Sequence, residues 1–94
     1  MNEANLILIG FGVIGKGVGR VLLKKRDLIR KRYRKDIRIV AVCEVDGSII
    51  DNDGIDLKAT IELAEKNRLR EHEKWEPINA VDVIRSIKAD IVLE

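Results

Sequence analysis

Aromatic side chains are scarce in this sequence. Phe11, Tyr33 and Trp75 are the only three in 94 residues, so leucine, isoleucine and valine must fill its core. There is a single cysteine, Cys43, and a single histidine, His72. One thiol cannot close a disulfide within the chain, and Cys43 with His72 falls short of a metal ligand set. A reducing, cytoplasmic setting is expected. No apolar run approaches the ~18 residues of a membrane span, and no charged n-region and cleavage site mark a signal peptide. His72 lies in a charged stretch and reads as an exposed residue rather than a catalytic one. Cys43 reads as a small buried hydrophobe at a strand end.

What is present suits one small globular domain. Apolar residues make up 46% and charged residues 36% of the chain, a balance that excludes disorder. The net charge of +2 is unevenly spread: nine basic residues fall between Lys24 and Arg38, against Asp27 and Asp36. Tyr33 is the only aromatic residue among them. The cluster therefore reads as the solvated C-terminal part of a helix, whose cations complement the helix dipole, and a nucleic-acid partner is disfavoured.

Leu6-Ile7-Leu8-Ile9 is a continuous apolar run stopped by a glycine, the pattern of a strand buried on both faces. Ile14, Val18, Val21, Leu22, Leu28 and Ile29 then recur at helical spacing, predicting an amphipathic helix over 13–32. A second strand spans 37–43 and ends at Glu44. Strand, helix and strand in this order form a βαβ unit with parallel strands. Asp46-Gly47-Ser48 and Asp51-Asn52-Asp53-Gly54 carry turn chemistry, with a brief extended segment at 48–50 between them. A helix is expected over 56–66, burying Leu57, Ile61, Leu63 and Ala64. The charged stretch 68–76 reads as a fraying helix end or surface loop. Asn79 caps a further helix over 80–87, with Val81, Ile84 and Ile87 along one face. Ala89 to Leu93 forms a third strand.

Gly10-Phe11-Gly12-Val13-Ile14-Gly15 is a Gly-x-Gly-x-x-Gly motif placed between an apolar strand and an amphipathic helix, the context in which it binds a dinucleotide. Gly10 permits the tight exit from the strand, Gly12 lets a pyrophosphate approach the backbone, and Gly15 lets helix and strand pack closely. The unpaired amides of the first helical turn, with the helix dipole, make an anion site. Glu44 follows the second strand directly, where a carboxylate accepts hydrogen bonds from an adenosine ribose diol. It should repel a 2′-phosphate, which favours NAD. NADP stays open through Lys16 or Lys58.

Four segments together resemble homoserine dehydrogenase. They are Ile9-Gly10-Phe11-Gly12-Val13-Ile14-Gly15, Glu44-Val45-Asp46-Gly47, Asp51-Asn52-Asp53-Gly54-Ile55-Asp56-Leu57 and Ala89-Asp90-Ile91-Val92-Leu93-Glu94. The third, similar to the family's Gly-Leu-Asp-Leu insertion, is the specific one. Glu44 stands where Asp is more usual. The resemblance implies an oxidoreductase that links L-homoserine and L-aspartate 4-semialdehyde by hydride transfer to a nicotinamide. Gly10, Phe11, Gly12, Val13, Ile14, Gly15 and Glu44 are the implied cofactor-binding positions.

The expected fold is α/β, a truncated Rossmann-like three-layer arrangement with a small parallel sheet of about three strands in the order 2-1-3. Residues 1–94 are expected to form part of an NAD(P)-binding domain whose catalytic domain is absent, so the chain alone should not turn over substrate. The alternative is a non-enzymatic nucleotide-binding or regulatory module. Expected partners are the dinucleotide, a separate catalytic chain, and further copies of the chain joined through the open apolar edge at Ile91-Val92-Leu93.

Overall fold

The structure is a computed structural model. It describes residues 2–94, with the side chains of Val13 and Ile14 outside the description. Strand β1 (Asn2–Ile9) runs into helix α1 (Val13–Tyr33), which ends at Arg34 in a left-handed cap and returns the chain along strand β2 (Lys35–Cys43). Strand β3 (Ser48–Ile50), helix α2 (Leu57–Glu65), a short 3₁₀ turn at Leu69–Glu71, strand β4 (Trp75–Glu76), helix α3 (Ala80–Ser86) and strand β5 (Ile91–Leu93) follow.

The sheet is larger than the sequence suggests, and it is mixed. Its order is β4-β3-β2-β1-β5. The expected parallel 2-1-3 arrangement survives as one side of it, β2-β1-β5. Two antiparallel strands are added beyond β2. The reason is the shortness of the turn after β2. Glu44 N–H donates to Gly47 C=O at 2.8 Å, so four residues reverse the chain and lay Ser48–Ile50 back along β2 as a hairpin. The charged stretch after α2 is likewise not a plain loop. It makes one 3₁₀ turn and then pairs Trp75 and Glu76 with Ile49 and Ser48.

Both faces of the sheet are covered, giving three layers. Leu6 and Leu8 of β1 and Ile39 and Val42 of β2 pack with Phe11, Leu22 of α1, and Leu57, Ile61 and Ala64 of α2. On the other face, Ile7, Val40, Ala41 and Cys43 pack with Val83 of α3. Central strands buried on both faces explain the unbroken apolar runs. β2 carries a bulge: Leu6 pairs with Ile39 but Ile7 with Ala41, leaving Val40 as the extra residue. The freed carbonyls of Ile39 and Val40 accept hydrogen bonds from Ile55 and Asp51 N–H at 2.8 and 2.9 Å. The Asp51–Gly54 turn is thereby fastened to the sheet, and Asp53 N–H donates to the Asp51 side chain within it.

Helix α2 is capped by Asp56, which accepts from Ala59 N–H at 3.1 Å. Its buried side is Leu57, Thr60, Ile61 and Ala64, with Leu63 only half-buried. Thr60 tolerates full burial because its hydroxyl donates to Asp56 C=O. Asn79 caps α3 as expected. The buried stripe of α3 differs from expectation: Ala80, Val83 and Ile87 face the sheet, while Val81 and Ile84 are exposed. Residues 80, 83 and 87 and residues 81, 84 and 87 are both helical stripes, both apolar here, so spacing alone does not choose between them. Val21 and Leu28 of α1, expected in the core, are also exposed.

Candidate functional site

The parallel strands β1, β2 and β5 end at the same edge of the sheet, and the residues that follow them build the site. Gly10 leaves β1 with φ +84°, a conformation that favours glycine. Its N–H donates to Cys43 C=O at 2.6 Å, which fixes the turn to the end of β2. Phe11 turns inward and is buried against Leu22 and Ile61. The chain then enters α1 through Gly12 at the N-cap. Glycine offers no side chain to cap the helix, so its first-turn amides remain available to an anion.

The glycines divide their work. A Cβ built on Gly12 would meet nothing within 4 Å, so the space above it is open. A Cβ on Gly15 would lie 2.7 Å from Gly10 C=O and 3.3 Å from the Phe11 ring, so this glycine permits the close approach of α1 to the turn. The side chains of Val13 and Ile14, also expected at the site, lie outside the described residues.

Glu44 meets the glycine turn directly. Its Oε1 accepts from Phe11 N–H at 2.9 Å. One oxygen therefore holds the turn, and the carboxylate keeps acceptor capacity for a further donor. Two hollows flank the turn, and Gly12 borders both. The first, about 550 Å³, is bounded by Phe11, Lys16, Glu44, Asp46, Asn67, Arg70 and Trp75. The second, about 600 Å³, lies between α1 and β5 and is more apolar, bounded by Leu8, Ile9, Gly15, Val18, Leu93 and Glu94. The helix N-terminus thus sits on a ridge between a polar and an apolar hollow, beside β1, where the chain first adds strands on one side and later returns to add β5 on the other.

Part of the first hollow went unseen in the sequence. Leu69, Arg70 and Trp75 come from the charged stretch after α2, and they form its outer wall. Arg70 Nε donates to Asp46 Oδ2 at 2.6 Å, and its guanidinium lies over the Trp75 ring at 5.7 Å. The Arg70 hydrogen bonds hold the Asp46 carboxyl below its ordinary value. The lone tryptophan was the available signal, since such a side chain in a charged run needs an apolar partner. Its partner is Gly47, where a Cβ would fall 2.1 Å from the ring. Lys58, considered for a phosphate, is exposed on α2 and borders neither hollow. Cys43 is buried, and burial pushes its thiol up from the ordinary value of 9.0. His72 donates nothing to the site; its Nδ1 accepts from Lys74 N–H. Of the basic cluster, Arg26 and Arg30 pair with Asp36, and Arg38 with Glu3. Among the described residues no helix is long and apolar enough to cross a membrane, and no group of metal-binding side chains is found.

No protein-family model matches the chain. The homoserine dehydrogenase of Methanocaldococcus jannaschii is 39% identical over 92 residues, 96% of this chain and 27% of the relative. A hyperthermophilic archaeal homoserine dehydrogenase solved in complex with NADPH superposes with a TM-score of 0.78 at 18% identity, over 96% of this chain and 27% of its own. A protein of Archaeoglobus fulgidus described as a homoserine dehydrogenase gives 0.72 at 26% identity, over 95% of this chain and 26% of its own. The chain therefore spans about a quarter of the length of the relatives it matches. Over nearly all of its own length, it is similar to the N-terminal segment of homoserine dehydrogenases.

Proposed function

We propose that the chain is the dinucleotide-binding portion of a homoserine dehydrogenase-like oxidoreductase. The observation that carries this reading is the ridge at Gly12: an uncapped helix N-terminus with open space above it, between one polar and one apolar hollow. A dinucleotide has the matching shape, with a diphosphate joining a ribose-linked adenine to a nicotinamide. The first-turn amides of α1 take the diphosphate. Glu44, steadied by Phe11 N–H, takes the adenosine ribose hydroxyls in the polar hollow. Gly10 and Gly15 hold the turn in the shape this requires.

The residues present fit the cofactor, since the space above Gly12 is open. When bound, the nicotinamide supplies the hydride acceptor for interconverting L-homoserine and L-aspartate 4-semialdehyde. This chain's share is binding and orientation. Hydride transfer also needs a substrate fixed against the ring, so the chain alone binds without turning over. A catalytic portion, in the same polypeptide or in another, completes it, and a reducing cytoplasm suits its buried thiol. The exposed edge Ile91-Val92-Leu93 pairs with a further strand, in the first instance from a second copy.

Calorimetric titration with NAD, NADP and ADP-ribose tests the reading. Binding of the dinucleotides, weakened about tenfold or more by Glu44→Ala, is expected. Absence of heat with all three sinks it. Purified chain given homoserine and NAD should yield no NADH, and light scattering should report a mass above that of one chain.

A further inference from the structure

The wall of the polar hollow carries a charge arrangement that the glycine motif does not call for. Two carboxylates, Glu44 and Asp46, follow β2 within three residues, and both border the hollow. Two cations border it as well. Lys16 stands in the first turns of α1, beside the glycine turn. Arg70 comes from the 3₁₀ turn after α2, on the outer wall. Arg70 is not a free cation. Its Nε and Nη2 both donate to Asp46 Oδ2, and its guanidinium rests over Trp75. Trp75 is in turn seated on Gly47, one residue beyond Asp46. The clasp therefore ties the β2–β3 turn to the segment joining α2 to β4.

We propose that Asp46 is a specificity-determining residue, which holds Arg70 against Trp75 and so withholds from a 2′-phosphate a guanidinium that borders the same hollow. This rests on the dinucleotide reading above and deepens it. An arginine fork is well suited to a phosphate dianion. To recruit Arg70, a 2′-phosphate must break both hydrogen bonds to Asp46. It would then lie near an uncompensated Asp46 carboxylate as well as Glu44. Like-charge juxtaposition of this kind discriminates between ligands. NAD has hydroxyls at that position, meets no such penalty, and leaves the clasp closed. The pair is partly exposed, so its effect is a moderate preference rather than absolute exclusion.

Titration of the chain with NAD and NADP, in the wild type and two variants, tests this. Asp46→Ser keeps a turn-forming residue without the charge. The wild type is expected to bind NAD more tightly than NADP, and Asp46→Ser to shift the ratio of the two affinities toward NADP by about tenfold. Asp46→Ser combined with Arg70→Gln should return the ratio most of the way to the wild-type value, since the gain runs through Arg70. A wild type that prefers NADP overturns the proposal, as does an unchanged ratio in Asp46→Ser or a gain that survives in the double variant. In those cases the chain still binds a dinucleotide, and the functional reading stands. Failure of the wild type to bind either dinucleotide overturns both.

Discussion

Replacing Gly12 by alanine separates the binding site from the fold that carries it. An added Cβ at Gly12 meets nothing within 4 Å, so no atom has to move. The remaining stability cost is that of alanine in place of glycine at an N-cap, about 0.5–1 kcal/mol. In a domain of this size, that lowers Tm by roughly 2–8 °C. Binding should suffer far more. The methyl group stands in the space through which a diphosphate reaches the first-turn amides. Losing two charge-assisted hydrogen bonds at about 1.5–3 kcal/mol each weakens binding by more than a hundredfold. The same change at Gly15 should behave in the opposite sense. There the Cβ would lie 2.7 Å from Gly10 C=O, which is itself anchored through Gly10 N–H to Cys43. Relieving that overlap costs about 1–3 kcal/mol, offset in part by about 1 kcal/mol of improved helix propensity. Urea unfolding followed through Trp75 fluorescence gives the stabilities, and calorimetry with NAD gives the affinities. A Gly12→Ala chain that folds normally and binds NAD within about threefold of wild type would refute the reasoning.

Two further outcomes are expected. Gly47→Ala drives a methyl group into the Trp75 ring and to 2.7 Å from Glu76 C=O; it should destabilise the chain by about 1–3 kcal/mol in urea unfolding and alter the Trp75 emission. Cys43 should resist thiol reagents in the folded chain and react on unfolding. Because its folded pKa lies above the ordinary 9.0, the unfolded chain loses the proton first, so stability holds below pH 9 and falls as pH rises above it, in unfolding measured from pH 8 to 10.

The β1-α1-β2 unit was readable because each of its signals is local. An apolar run, a glycine turn and a helical stripe lie consecutively along the chain, and Glu44 follows its strand directly. The mixed half of the sheet depends on pairings that no local pattern announces. Trp75 and Glu76 make a two-residue strand inside a charged run, and only their register with Ile49 and Ser48 gives them that role. Asp46 reads as a turn residue until Arg70, 24 positions away, is seen to grip it. The α3 face was ambiguous for another reason: two overlapping stripes are apolar, and the one chosen by the sheet contains Val83.

The extra residue at Val40 has a consequence for the far end of its strand. Before it, Ile37 and Ile39 look toward α1 and α2; after it, Val42 does, while Val40, Ala41 and Cys43 look the other way. Side chains alternate strictly along a regular strand, so a bulge that sets two successive residues on one face shifts the alternation for every residue beyond it. Were the same residues to run as a regular strand without the bulge, the terminal acid would emerge on the α3 side, out of reach of the Phe11 amide. A single irregularity four residues upstream thus decides which way the carboxylate points.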